Sequence, residues 1–119
     1  MDIRFIAQPQ ENAQLGALLT DSLSNSVGIQ TVTIVSAFAS MATVIRIKGP
    51  LLNLHNSGKT KVRLVIGVDM GGTSKEVLSE LASWPFEVFI FKNKKSGVTF
   101  HPKIYVVERK SSAEIYIGS

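Results

Sequence analysis

The chain has 119 residues, no cysteine, two histidines and a formal net charge of +4. That length holds one domain with a real core, and the missing cysteines exclude disulfides and thiolate metal sites. No apolar run approaches the roughly 20 residues a membrane span needs, and the N-terminal MDIRFIAQPQ lacks the basic-then-apolar order of a secretory signal. A cytoplasmic location is therefore expected, with no membrane partner.

In chain order, Asp2 to Ala7 predicts a short first strand, ended by Gln8-Pro9. Asn12 can cap a helix running to about Asn25, with Leu15, Leu18, Leu19 and Leu23 as its buried stripe and Gly28 closing it. The β-branched run Thr31 to Val35 predicts a buried strand. Ser36-Ala37-Phe38-Ala39 leaves it. A helix is expected from near Ser40, although Thr43 to Lys48 could also be extended. Gly49-Pro50 should interrupt the chain there, with Leu51, Leu52 and Leu54 carrying a second short helix to Gly58.

Lys61 to Val68 predicts the next strand. Asp69-Met70-Gly71-Gly72 turns the chain, and Thr73-Ser74-Lys75-Glu76 has capping-box spacing ahead of a helix with Val77, Leu78 and Leu81 on its apolar face. Trp84-Pro85 ends that helix, Phe86 to Phe91 reads as a strand, and Lys92 to Gly97 as a basic loop. Strands alternating with helices imply crossover units and a sheet with helices on both faces, made mixed by a closing hairpin. There is no internal repeat and no linker, so residues 1–119 are expected to form a single α/β domain.

That hairpin is Phe100 to Ser119, FHPKIYVVERKSSAEIYIGS. Alternation gives one strand from Ile104 to Val107, a polar turn at Arg109 to Ala113, and a second strand ending in Gly118-Ser119. Period-two geometry puts His101 and Lys103 on one face, and the turn returns Gly118-Ser119 beside them. An imidazole, an ammonium, a hydroxyl and backbone N–H groups would then converge, a nucleophile and donor set suited to a phosphodiester. Between Lys92 and Lys110 lie six basic residues and one acid, so this stretch carries +5 against +4 for the whole chain. Lys92, Lys94, Lys95, Arg109 and Lys110 are the expected nucleic-acid contacts; a solvated loop is the alternative for Lys92 to Lys95.

Other candidates carry less. Ser57-Gly58-Lys59-Thr60 resembles the end of a phosphate-binding P-loop, but Asn53 stands where that pattern needs glycine, and the order of helix and strand is reversed. A helix C-cap before a strand explains it better. Gly67-Val68-Asp69-Met70-Gly71-Gly72-Thr73 looks like the first phosphate loop of sugar kinases in the actin-like ATPase superfamily. A strand-to-helix turn is the plainer reading, one whose helix N-terminus could still attract an anion. His55, beside Asn53 and Asn56, is expected to be solvated, and Trp84 to pack in the core or at its rim. With two histidines and scattered acids, no dedicated zinc site is expected.

At His101 the residues resemble the phospholipase D superfamily, whose signature runs H-x-K-x-x-x-x-D, a short turn, then G-S-x-N. His101-Pro102-Lys103 matches the first part, Glu108 stands at the aspartate position, and Gly118-Ser119 matches the glycine-serine. Phe100 to Tyr105 looks especially like the prokaryotic nuclease branch, which includes single-motif restriction endonucleases and helicase-linked relatives. The loop Asp69 to Ser74 and the order of strands and helices are similar too, across the whole chain. The chain departs from the pattern in its glutamate, in a longer hairpin turn, and in having no G-S-x-N asparagine, downstream acid or second motif. It is accordingly expected to be the N-terminal part of a longer protein, weakly active or inactive alone.

The resemblance implies a phospholipase D-like fold and a metal-independent phosphodiesterase, foremost a DNA endonuclease of restriction type. His101 would attack phosphorus and form a phosphohistidine. Lys103 would neutralise the phosphoryl oxygens and Ser119 donate to them, with Glu108 and Gly118 supporting. The general acid would be His101 of a second subunit, in a homodimer whose two-fold axis crosses the site. No cofactor or metal is implied. The alternative is a non-catalytic DNA-binding or dimerisation module on the same fold. Phospholipid hydrolysis is the weaker third, since no amphipathic membrane-binding helix is evident.

Overall fold

Strands form where β-branched and aromatic residues cluster and alternate. They are β1 (Ile29–Ser36), β2 (Lys61–Gly67), β3 (Glu87–Phe91), β4 (Lys103–Arg109) and β5 (Ala113–Ile117). Two helices, α1 (Met41–Asn56) and α2 (Lys75–Ala82), make the crossovers from β1 to β2 and from β2 to β3. The computed structural model describes residues 3, 21–24, 27–69, 72–92 and 101–118. The expected first strand lies outside these apart from Ile3, which is in no regular element, and of the expected 12–25 helix only residues 21–24 are described, as helix.

The sheet is mixed, in the order β3-β2-β1-β4-β5. β1, β2 and β3 run parallel, while β4 is antiparallel to β1 and β5 to β4. The closing hairpin and its turn are as the alternation predicts, and Arg109 N–H donates to Ser112 C=O at 2.7 Å to close it.

One face of the sheet makes the core. Val32, Ile34, Val62, Leu64, Ile66 and Val107 pack against Val44, Ile47, Leu51 and Leu54 of α1 and Val77 and Leu81 of α2. Each such side chain contributes about 1.5–3 kcal/mol on leaving water. Leu23 joins the same cluster, so all the described helical segments lie on that face. Among the described residues, this corrects the expectation of helices on both faces. Alternating crossovers suggest two covered faces, but two right-handed crossovers that step the same way along a sheet put both helices on one side. On the other face, among the described residues, Phe89, Phe91, Ile115 and Ile117 remain exposed.

α1 is a single helix, not two. Pro50 lies inside it. Proline forfeits one backbone bond and crowds the preceding turn, but the apolar positions Val44, Ile47, Leu51 and Leu54 stay in phase across it. Continuous burial of that stripe outweighs the local penalty. Ser40 caps the N-terminus, its Oγ accepting from Thr43 N–H at 3.3 Å. At the other end Ser57 is the C-cap, and Gly58 follows at φ 73°, where a side chain would be strained. Ser57 to Thr60 is thus a helix stop before β2, as its residues suggest, and not a P-loop.

α2 is capped by Ser74, whose Oγ accepts from Val77 N–H at 3.2 Å. The cap stands one residue later than the capping-box spacing predicts, because Thr73 has other partners. Its Oγ1 donates to Gly67 C=O and accepts from Ala39 N–H, both at 3.0 Å. The Gly67 to Thr73 stretch therefore joins a strand to a capped helix, which excludes the hairpin of the sugar-kinase loop. Trp84 is buried as expected, its Nε1–H donating to Glu80 Oε1 at 3.2 Å. His55 is not simply solvated: its ring tilts against Phe86 at 5.7 Å between centroids.

Candidate active site

Parallel strands β1, β2 and β3 all end at the edge of the sheet where β4 begins. Gly67, Phe91 and Ser36 mark the ends of the parallel strands, and Ser36 pairs with Lys103. Both crossover helices start there too, at Ser40 and Ser74. Their positive dipole ends face the same rim, and ligands of open α/β sheets collect at such carboxyl ends.

His101 and Lys103 sit on this rim. Pro102 is fastened to the end of β1, its C=O accepting from Ala37 N–H at 2.7 Å. The Lys103 Nζ lies 3.4 Å from Nδ1 and 3.5 Å from Nε2 of His101, long for hydrogen bonds, so it sits beside the ring rather than on one nitrogen. The same ammonium stands 5.2 Å from the centre of the Phe38 ring, within cation–π range. His101 is exposed and Lys103 half-buried. Among the described residues no carboxylate forms an ion pair with Lys103, which leaves its charge available to an incoming anion.

Gly118 returns to this point as the hairpin requires, donating its N–H to Lys103 C=O at 2.8 Å. Ser119, Lys94 and Lys95 lie outside the described residues. Lys92 is exposed at the same rim, just past the end of β3. Three strand spacings separate β3 from β4, about 14 Å, so Lys92 can reach a polyanion lying along the rim but not the atoms between His101 and Lys103.

The rest of the basic run is elsewhere. Arg109 ends β4, six residues beyond Lys103, and a strand of that length spans roughly 20 Å. Glu108, Arg109 and Lys110 therefore stand at the opposite end of the sheet from His101. Glu108 cannot support the His101–Lys103 pair directly: it is exposed and sits opposite Thr31 and Ala113. Arg109 is turned inward. Its guanidinium pairs with Glu114 and donates to Ser22 C=O at 3.1 Å, tying the hairpin to the helical residues 21–24. Contiguity in sequence suggested one basic patch; an extended strand splits it in two.

Glu114 gathers further donors. Ser22 Oγ–H reaches Oε2 at 2.6 Å and Tyr116 O–H reaches it at 2.9 Å. The Ser22 hydroxyl first, then Tyr116 and the Arg109 charge, hold its carboxyl below the usual range against the opposing effect of partial burial. Nearer His101 and Lys103, burial pushes the Tyr105 phenol above its usual range, opposed by a hydrogen bond with Ser36.

Phe38 is the residue that motif and spacing do not pick out, and Gly72 and Thr73, which a loop resemblance and a capping box do single out, turn out to hold the loop that carries it. The loop after β1 is held by Thr73 and by Ser36 Oγ–H donating to Phe38 C=O at 2.7 Å. A Cβ at Gly72 would come within 3.1 Å of the Phe38 side chain, so the glycine makes room for the ring that lies under Lys103. The signal in the sequence is an aromatic residue two positions after a buried strand. No family model matches the chain, and no curated protein matches it.

Proposed function

We propose that the chain is a phospholipase D-like, metal-independent phosphodiesterase domain acting on nucleic acid, foremost as a DNA endonuclease. One observation carries the reading. An exposed imidazole and a half-buried ammonium are held side by side, 3.4 Å apart at their closest, at the carboxyl edge of an α/β sheet.

In this reading a His101 ring nitrogen attacks phosphorus. The bond from phosphorus to the leaving oxygen breaks, and a phosphohistidine forms. His101 of the partner subunit gives its proton to the leaving oxygen. Water then attacks the phosphohistidine, losing its proton to that same partner imidazole, and His101 is restored. Lys103 balances the negative charge that grows on the phosphoryl oxygens in both steps. Its place between the Phe38 and His101 rings fixes that charge before substrate arrives. The two helix N-termini and Lys92 add a positive field along the rim.

The test is cleavage of DNA or an aryl phosphodiester by the full-length protein in EDTA. Activity that disappears in His101→Ala supports the reading. Salt-sensitive DNA binding without turnover, unchanged by His101→Ala, would favour the binding or dimerisation module instead.

A further inference from the structure

Behind Lys103 the structure holds a cavity of about 270 Å³, between the sheet and the two helices. An apolar cavity of about 150 Å³ is enough for a benzene ring, so this one admits a larger planar group. Its walls are aliphatic, with Ile34, Ile47, Leu64 and Leu81 among them. Its rim is different. Of the lining residues that reach solvent, Ser40, Thr43 and Tyr105 bring hydroxyls, and Lys103 and Arg46 bring positive charge, while the Ser36 hydroxyl is buried and donates to Phe38 C=O. Phe38 also lines the cavity and is 37% exposed.

Three features narrow the occupant. Aliphatic walls favour the faces of a flat ring. Hydroxyls at the rim suit a ring with polar edges, which an alkyl chain lacks. Cations at the rim suit a phosphate attached to that ring and left outside. Lys103 belongs both to the cavity and to the pair with His101, so a phosphodiester at Lys103 has its neighbouring substituent at the cavity mouth.

We propose that this cavity receives one nucleobase, turned out of its strand, beside the phosphodiester that His101 attacks. The inference rests on the phosphodiesterase reading for the identity of the phosphate, and adds that the site reads one base. Enzymes that extrude a base hold it by stacking and by hydrogen bonds to its edges, here from Phe38 and the rim hydroxyls.

The test is methyl NMR on the chain, titrated separately with deoxyadenosine 5′-monophosphate, deoxyribose 5-phosphate and octyl phosphate. The nucleotide is expected to shift the methyl signals of Ile47, Leu64 and Leu81, with the sugar phosphate leaving them in place. Base–aromatic stacking is worth about 1–3 kcal/mol, so Phe38→Ala should weaken nucleotide binding about 5- to 150-fold. Nucleotide that leaves these methyls unmoved would overturn the proposal. So would octyl phosphate moving them while the nucleotide does not, which would mark a lipid-chain pocket. Nothing is hydrolysed in this titration. Repeating it with His101→Ala separates the two ideas: shifts that persist where turnover is absent support the base site whether or not His101 is a nucleophile.

Discussion

Thr73→Val removes one hydroxyl and keeps the side chain's shape, which makes it a clean probe of the rim. The hydroxyl donates to Gly67 C=O and accepts from Ala39 N–H, both at 3.0 Å. Each hydrogen bond contributes about 1 kcal/mol net, and a buried donor left unpaired costs about 1–3 kcal/mol. Ala39 is 8% exposed, so its N–H has little water to turn to. The expected loss is about 2–4 kcal/mol, a large part of a typical stability of roughly 5–15 kcal/mol. Urea unfolding followed by the buried Trp84 measures it. Thr73→Ser, which keeps the hydroxyl, should stay within about 1 kcal/mol of the parent. A Thr73→Val protein as stable as the parent would refute the claim that this hydroxyl clasps the two loops.

Gly49 is exposed inside α1, and a Cβ added there would meet nothing within 4 Å beyond its chain neighbours, but Pro50 follows, and its ring crowds a Cβ on the preceding helical residue; Gly49→Ala should therefore give less than the gain of about 0.5–1 kcal/mol usual for a helix interior, in the same assay. Glu114 is held below the usual carboxylate range, so the native state binds fewer protons than the unfolded chain as pH falls. Its contribution is present above the ordinary carboxylate range and lost as pH falls through the folded value; Glu114→Gln should flatten the acid limb of stability against pH. Arg109→Ala should lower stability by about 0.5–1.5 kcal/mol, since it removes one of three partners of Glu114 and the bond to Ser22 C=O while Ser22 and Tyr116 still donate to the carboxylate. The same change should leave the salt dependence of DNA binding untouched, whereas Lys103→Ala should reduce the slope of log affinity against log salt by about one.

Local patterns made most of the sheet legible. β1, β2, β3 and the hairpin each announce themselves by β-branched runs or alternation, and each sits within a residue or two of its expected place. What escaped depended on contacts remote in sequence. Gly49-Pro50 reads as a break until the stripe from Val44 to Leu54 is seen buried against one sheet face. Arg109 reads as a nucleic-acid contact until Ser22 and Glu114 are brought beside it.

The site divides in the same way. His101 and Lys103 are neighbours because two residues of near-extended chain put them on one side, and spacing alone conveys that. Phe38 comes from the loop after β1, Thr73 from the loop before α2 and Tyr105 from β4, and only the strand order gathers them. Counting charge along the chain pooled Lys92 with Arg109, which the length of β4 then holds at opposite ends.

The proposed function stands or falls on His101 as a nucleophile that works without a metal. Turnover of an aryl phosphodiester in EDTA by the full-length protein, compared with its His101→Ala variant, tests it most directly. Turnover is expected in the parent, with a fall of about a thousandfold or more in the variant, as loss of a nucleophile produces. Comparable rates in the two proteins would contradict it.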